Sequence, residues 1–146
     1  MARPKKNIVD YFSHDCFQEK PLHIIDKMYG NDGYAFYFKL RELLGRTNNH
    51  AYDCTEFGAE EYLLVETGLS KDAYEKIMET LFDLGELDKE LYENHGIIWW
   101  QSFVDLLEDV YSRRKNNIPN KNNIFYENEE RTNDDLVIEY DSYGVN

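Results

Sequence analysis

Between Gly33 and Gly45 the chain reads Tyr34-Ala35-Phe36-Tyr37-Phe38-Lys39-Leu40-Arg41-Glu42-Leu43-Leu44, with few wholly polar positions. Wound as a helix, it brings Tyr34, Tyr37, Phe38, Leu40, Arg41 and Leu44 to one broad side. A helix apolar over so much of its circumference belongs in the middle of a fold. Gly30-Asn31-Asp32-Gly33 ahead of it is turn and cap chemistry: Gly30 closes a preceding helix, and Asn31 or Asp32 caps this one. The preceding helix starts near Pro21, a first-turn residue, and places Leu22, Ile25 and Met28 at one-face spacing. The spacing therefore predicts two helices about a sharp turn, with the remainder built around the second.

At 146 residues, 42% apolar and 15% aromatic, the chain has enough apolar surface for one core and is too short for two. Asn48-Asn49-His50 is turn chemistry and Ala51 to Cys54 a short strand. Phe57 to Val65 reads as a modest helix ending at Thr67-Gly68. Ser70 caps a stronger one, in which Tyr74, Ile77, Met78, Leu81, Phe82 and Leu84 form an inward stripe and Phe82 joins Tyr37, Phe38 and Leu81 as expected core. The two have the layout of a helix-turn-helix. One or two helical turns at Lys89 to Asn94 precede Ile97-Ile98-Trp99-Trp100, which has strand character and is expected to pair with Glu86-Leu87-Asp88 as a wing. Alternation would send one of Trp99 and Trp100 inward and leave the other outside as a partner anchor. A last helix spans Gln101 to Lys115. The expected fold is mainly α, a winged-helix-like domain with a small β wing over 1–115, followed by a flexible, polar, acidic tail over 116–146. Five asparagines and Pro119 give residues 116–123 the composition of a linker.

The net charge of −13 opposes nucleic-acid binding, which depends on cations that displace counterions from phosphate. The charge is unevenly spread, however. Residues 56–93 hold twelve acids against three bases, while Arg3, Lys5 and Lys6 at one end and Arg113, Arg114, Lys115 and Lys121 near the other stand in acid-free stretches. Any DNA contact has to come from these two basic ends, with Arg3, Lys5, Lys6, Arg113, Arg114 and Lys115 as the contact residues. Arg113 to Lys115 would serve equally as a cap on the negative end of their helix. The helix from Ser70 to Gly85 occupies the place of a recognition helix, yet shows Asp72, Glu75, Glu79 and Asp83 outward beside Lys71 and Lys76. It is not expected to lie deep in a major groove. Residues 127–141, with a net charge of −6, are expected either to fold back and mask the bases at low salt or merely to solvate the chain.

His14-x-Cys16 and His50-x3-Cys54 contain the ligand types of a structural zinc site. Their spacing is not that of zinc pairs, and no metal is expected at His14, Cys16, His50 and Cys54. The plainer reading makes Cys16 a small buried apolar residue and has His14 satisfy a backbone carbonyl near the first helix. No nucleophile, base and orienting group fall into a recognisable motif and no phosphate loop is present, so neither an enzyme nor a cofactor is expected. There is no apolar run long enough for a membrane span and no apolar signal core at the N-terminus. A cytoplasmic protein of a bacterium or phage-infected cell, with both thiols free, is expected.

Met1-Ala2-Arg3-Pro4-Lys5-Lys6, Asp10-Tyr11-Phe12-Ser13-His14-Asp15-Cys16, Tyr29 to Leu40, Ile98 to Asp105, Asp109-Val110-Tyr111 and Arg113-Arg114-Lys115 occur in one fixed order. In that order roughly the first 115 residues resemble an N-terminal domain, formally of unknown function, of phage and prophage proteins of Gram-positive and related bacteria. Many of those proteins look like DnaD-type replisome organisers. The resemblance implies a part in initiating or organising DNA replication, by holding origin DNA or by recruiting a helicase loader. It also implies a longer C-terminal part beyond a Pro-containing linker. The residues themselves support a non-enzymatic binding module. The alternative is a protein-interaction or oligomerisation winged helix that pairs with itself or with a replication protein and touches no DNA.

Overall fold

Gly30 sets the geometry of the first third of the protein. In the computed structural model, which describes residues 7–124, α1 (Lys20–Gly45) is two helical stretches joined across Gly30, whose φ of 65° and ψ of −148° suit only glycine. Three residues on, a side chain at Gly33 would stand 2.7 Å from the Cβ of Tyr29 and 2.8 Å from the carbonyl oxygen of Ile25. The two glycines therefore let the second stretch leave against the end of the first. Pro21 lies in the first turn as expected.

The second stretch of α1 is the centre of the core, burying Phe36, Tyr37, Leu40, Arg41, Leu43 and Leu44. Its phase differs slightly from expectation. Phe36 is fully buried, whereas Phe38 and Phe82 are half-buried and pack at the edge. After α1, a 3-10 turn at Asn48–His50 leads into β1 (Tyr52–Asp53), α2 (Ala59–Thr67) and α3 (Lys71–Asp83). Gly68 ends α2 in the left-handed conformation, and Ser70 caps α3 by accepting from the amide of Ala73 at 3.2 Å. α3 buries Tyr74, Ile77, Met78 and Leu81, much of its expected stripe.

Asp88 caps α4 (Lys89–His95) through the amide of Leu91 at 2.8 Å, and Gly96 turns the chain into β2 (Ile97–Ile98). β2 pairs antiparallel with β1, Tyr52 opposite Ile98 and Asp53 opposite Ile97. The expected partner, residues 86–88, contributes one backbone bond, from Asp88 N–H to Trp99 O at 3.1 Å. The last helix is also divided, into α5 (Gln101–Leu106) and α6 (Glu108–Arg114), at Leu107, where ψ rises to 1°. The fold is thus mainly helical with one small two-stranded antiparallel sheet.

Neither tryptophan faces outward. Trp100 lies in the main core and donates to Glu86 Oε2 at 2.8 Å, while Trp99 is buried in a second cluster with Leu91, Ile97, Val104 and Ile124. Alternation does send the two rings to opposite sides, but residues from beyond α6 cover the second side. Residues 121–124 form a single helical turn, Ile124 is buried, and Lys121 Nζ meets Asp88 Oδ2 at 2.6 Å. The expected acidic tail over 127–141 lies outside the described residues, as do Arg3, Lys5 and Lys6.

Substitution of Phe36 by Ala is expected to cost about 3–5 kcal/mol, a large part of what a domain of this size has. Val65→Ala, on the exposed side of α2, is expected to cost under about 0.5 kcal/mol. Chemical denaturation of both variants checks the placement of the two side chains, and equal midpoints would contradict it.

Candidate functional site

α6 ends in Arg113-Arg114-Lys115, and the three residues separate in role. Arg114 turns inward: its Nη1 donates to the carbonyl oxygen of Ile8 at 2.6 Å, and its guanidinium stands 5.7 Å from the centre of the Tyr111 ring. Arg113 and Lys115 are exposed, and neither forms an ion pair within the described residues. Lys115 is left-handed, with φ 54°, and caps the helix through its amide to Ser112 O and Tyr111 O. Capping thus belongs to the Lys115 backbone and N-terminal anchoring to the Arg114 side chain, and two cations are left pointing at solvent.

Four further hydrogen bonds hold the same corner. The amide of Asn49 donates to Asn7 O at 3.1 Å, and that of Val9 to Gly45 O at 2.8 Å. Beneath them His50, wholly buried, uses both ring nitrogens: Nδ1 to Leu44 O at 2.8 Å and Nε2 to Tyr111 Oη at 2.5 Å. A carbonyl only accepts, so Nδ1 carries the proton and Nε2 accepts from the tyrosine hydroxyl. Burial pushes the imidazole below its ordinary range, and Arg114 adds to that, while the bond to Leu44 works against it. Burial likewise pushes Tyr111 up to about 12, which keeps its hydroxyl a donor.

The four residues weighed as metal ligands are not brought together. His14 stacks on Phe38, ring centres 4.0 Å apart, and Cys16 is exposed instead of buried. The role expected of His14, satisfying a carbonyl of the first helix, falls to His50. Burial pushes the Cys54 thiol up to about 12, so it is a poor thiolate at neutral pH. Among the described residues no three His, Cys, Asp or Glu side chains cluster to hold a metal ion. Nor is any helix there long and apolar enough to cross a membrane.

Two features escaped sequence reasoning. Arg41 is 8% exposed, with its guanidinium 4.6 Å from the Trp100 ring centre and 4.7 Å from that of Tyr37. Its Nη2 donates to Tyr37 Oη at 3.0 Å, and its Nε has no hydrogen-bond partner. It lines a groove of about 210 Å³ with Asp15 and Glu19 among the other walls, and those two acids oppose a polyanion there. The aromatic faces take the place of a carboxylate for this cation. The second feature is a pocket of about 280 Å³ at the α6 corner, lined by Asn7, Asn49, Asn116, Asn117, Asn120 and Asn123. The outer side of α3 is acidic as expected, and Lys76 on it is paired with Asp72 at 3.2 Å.

The wild-type stability advantage over a His50→Gln variant is expected to be largest above about pH 6.5, the ordinary histidine value, where both folded and unfolded imidazoles are neutral. Below that pH the unfolded chain takes up a proton that the folded one resists, so the advantage shrinks as pH falls through the depressed folded value. Thermal melts of both proteins from pH 8 to 5 check this, and a pH-independent difference would contradict it.

A family model described as Lin1244/Lin1753-like, N-terminal, matches residues 11–103, more than half of the chain. The matched stretch holds α1 through the first turn of α5 and stops short of Arg113, Arg114 and Lys115. No curated protein and no solved structure matches the chain.

Proposed function

This chain belongs to the Lin1244/Lin1753-like N-terminal family, and we propose that it is a non-enzymatic, winged-helix-like module that associates with DNA. The contact is made at the corner where the N-terminal arm meets the end of α6, in the service of a phage or prophage replication-initiation protein. The observation that carries this reading is the bond from Arg114 Nη1 to Ile8 O. It holds residues 7–9, which follow Lys6 in the chain, at the end of α6, more than a hundred residues further on, where Arg113 and Lys115 flank the donor. Clustered cations gain more from phosphate than scattered ones, since each contact that forms holds the next within reach. The α2-turn-α3 layout and the β1–β2 pair support the winged-helix part of the reading. The replication role rests on the resemblance to phage proteins. The acidic outer face of α3 argues for contact through the corner and against contact through that helix.

An interaction module that touches no DNA is the second reading, favoured by one observation. Phe57, Val65 and Tyr62 are exposed together on and beside α2, with Phe57 and Val65 at 108% and 78%. Sedimentation across a concentration series separates the two: self-association abolished by Phe57→Ser would support the second.

DNA binding is expected to be weak and sequence-tolerant, with about four to six phosphate contacts and a log–log salt slope of about −4 to −5. The double variant Arg113→Ala/Lys115→Ala is expected to fold normally and to reduce that slope by about 2. Titration of a labelled duplex at several salt concentrations is the measurement. Binding indifferent to salt, or unchanged in the double variant, would sink the DNA reading.

A further inference from the structure

We propose that the asparagine-lined pocket beside the α6 corner receives one unstacked nucleobase, adenine above all, so that the DNA held there is single-stranded or has a base turned out of the stack. The inference rests on the DNA reading above and gives it a substrate class. Among the described residues the pocket wall carries no charged side chain, although Arg113 and Lys115 stand beside it in the chain on one side and Lys6 adjoins Asn7 on the other. Its polar side chains are carboxamides, and those of Asn117 and Asn123, each with two donors and an acceptor and no charge, are exposed. That chemistry matches a base edge and does not match a phosphate. An asparagine side chain meets adenine at N6 and N7 with one donor and one acceptor, a pairing worth about 1–3 kcal/mol of discrimination.

Size and shape agree with this choice. At about 280 Å³ the pocket has room for one base. A base inside a duplex cannot enter a concavity without leaving its neighbours, which makes an unpaired strand the less costly partner. Ile118 and Pro119 add apolar surface to the wall against which a ring face can lie. Asn120 is partly committed, its Oδ1 accepting from the amide of Asn122 at 2.9 Å to start the last helical turn. The exposed Asn117 and Asn123 are the better candidates for the base edge, and changing them leaves that turn intact.

The test uses the full chain and three labelled probes: a twelve-nucleotide deoxyadenosine strand, a strand of equal length with abasic sites, and a duplex. The adenosine strand is expected to bind roughly 5- to 150-fold more tightly than the abasic one, the range given by a single bidentate pair. Asn117→Ala/Asn123→Ala is expected to erase that difference while leaving abasic and duplex affinities unchanged. Free adenosine is expected to shift the Asn117 and Asn123 side-chain amide signals in a nitrogen–proton spectrum, a readout independent of backbone charge. Equal affinity for the adenosine and abasic strands overturns the pocket and spares the DNA reading. If no strand binds yet adenosine still shifts those signals, the DNA reading fails while base recognition stands. Absence of both the discrimination and the shift overturns the inference.

Discussion

A buried, neutral imidazole ties the two ends of this fold together. His50 sits at the end of the turn after α1, with φ 58°, and Asn49 before it has the same value. Left-handed backbone costs a non-glycine residue about 1–2 kcal/mol, less for asparagine, so the turn holds only because its surroundings compensate. The compensation is visible. The ring donates to the carbonyl of Leu44 near the helix end and accepts from Tyr111, and it meets the rings of Phe103 and Tyr111 edge-on at 6.3 and 5.7 Å. Through Tyr111 the same side chain fixes the position of α6, and α6 places Arg114 within reach of Ile8. The basic corner is therefore a consequence of a core contact.

Which segments become helices was legible in the chain, because apolar spacing, the Ser70 cap and the glycines at 30, 68 and 96 each state a local preference. Where local preference is indifferent the reading slipped. Phe36-Tyr37-Phe38 is apolar at three consecutive positions, so period alone cannot choose between Phe36 and Phe38, and the packed neighbours decide for Phe36. The partner of β2 was sought ten residues upstream because short loops close at less entropic cost. The strand found there instead lies more than forty residues away, where α2, α3 and α4 fill the interval. Trp99 and Trp100 alternate as a strand should, yet alternation cannot foresee that Ile124 returns to cover the second face.

The candidate site was legible only in its ingredients. Composition marks two acid-free basic segments, but nothing local says that residues 7–9, which follow the first of them, reach the end of α6. That knowledge resides in the Arg114–Ile8 and Asn49–Asn7 bonds. Asparagines after Lys115 have the composition of a linker and do break the helix, as expected of them. Their other property, the ability of a neutral amide to line a polar concavity, becomes apparent only when Asn7 and Asn49 are brought alongside from the far end of the chain. Arg41 was counted with the apolar face of its helix, and that placement is correct. What was illegible is that aromatic rings would receive its charge.

The acidic body and the basic corner are one electrostatic design, not a compromise between two. A net charge of −13 opposes a polyanion, and the repulsion extends about 8–10 Å at physiological ionic strength. The exposed acids of α3 and the carboxylates of Asp15 and Glu19 beside the Arg41 groove act where a strand would otherwise find aromatic surface to lie on. A field of one sign broken by a patch of the other restricts approach more than uniform attraction does, because wrong orientations are opposed instead of merely unrewarded. On the proposed DNA reading the cost is affinity, since a phosphate settling on Arg113 or Lys115 would still feel the acidic body behind them. The proposed DNA contact would then be oriented and readily released.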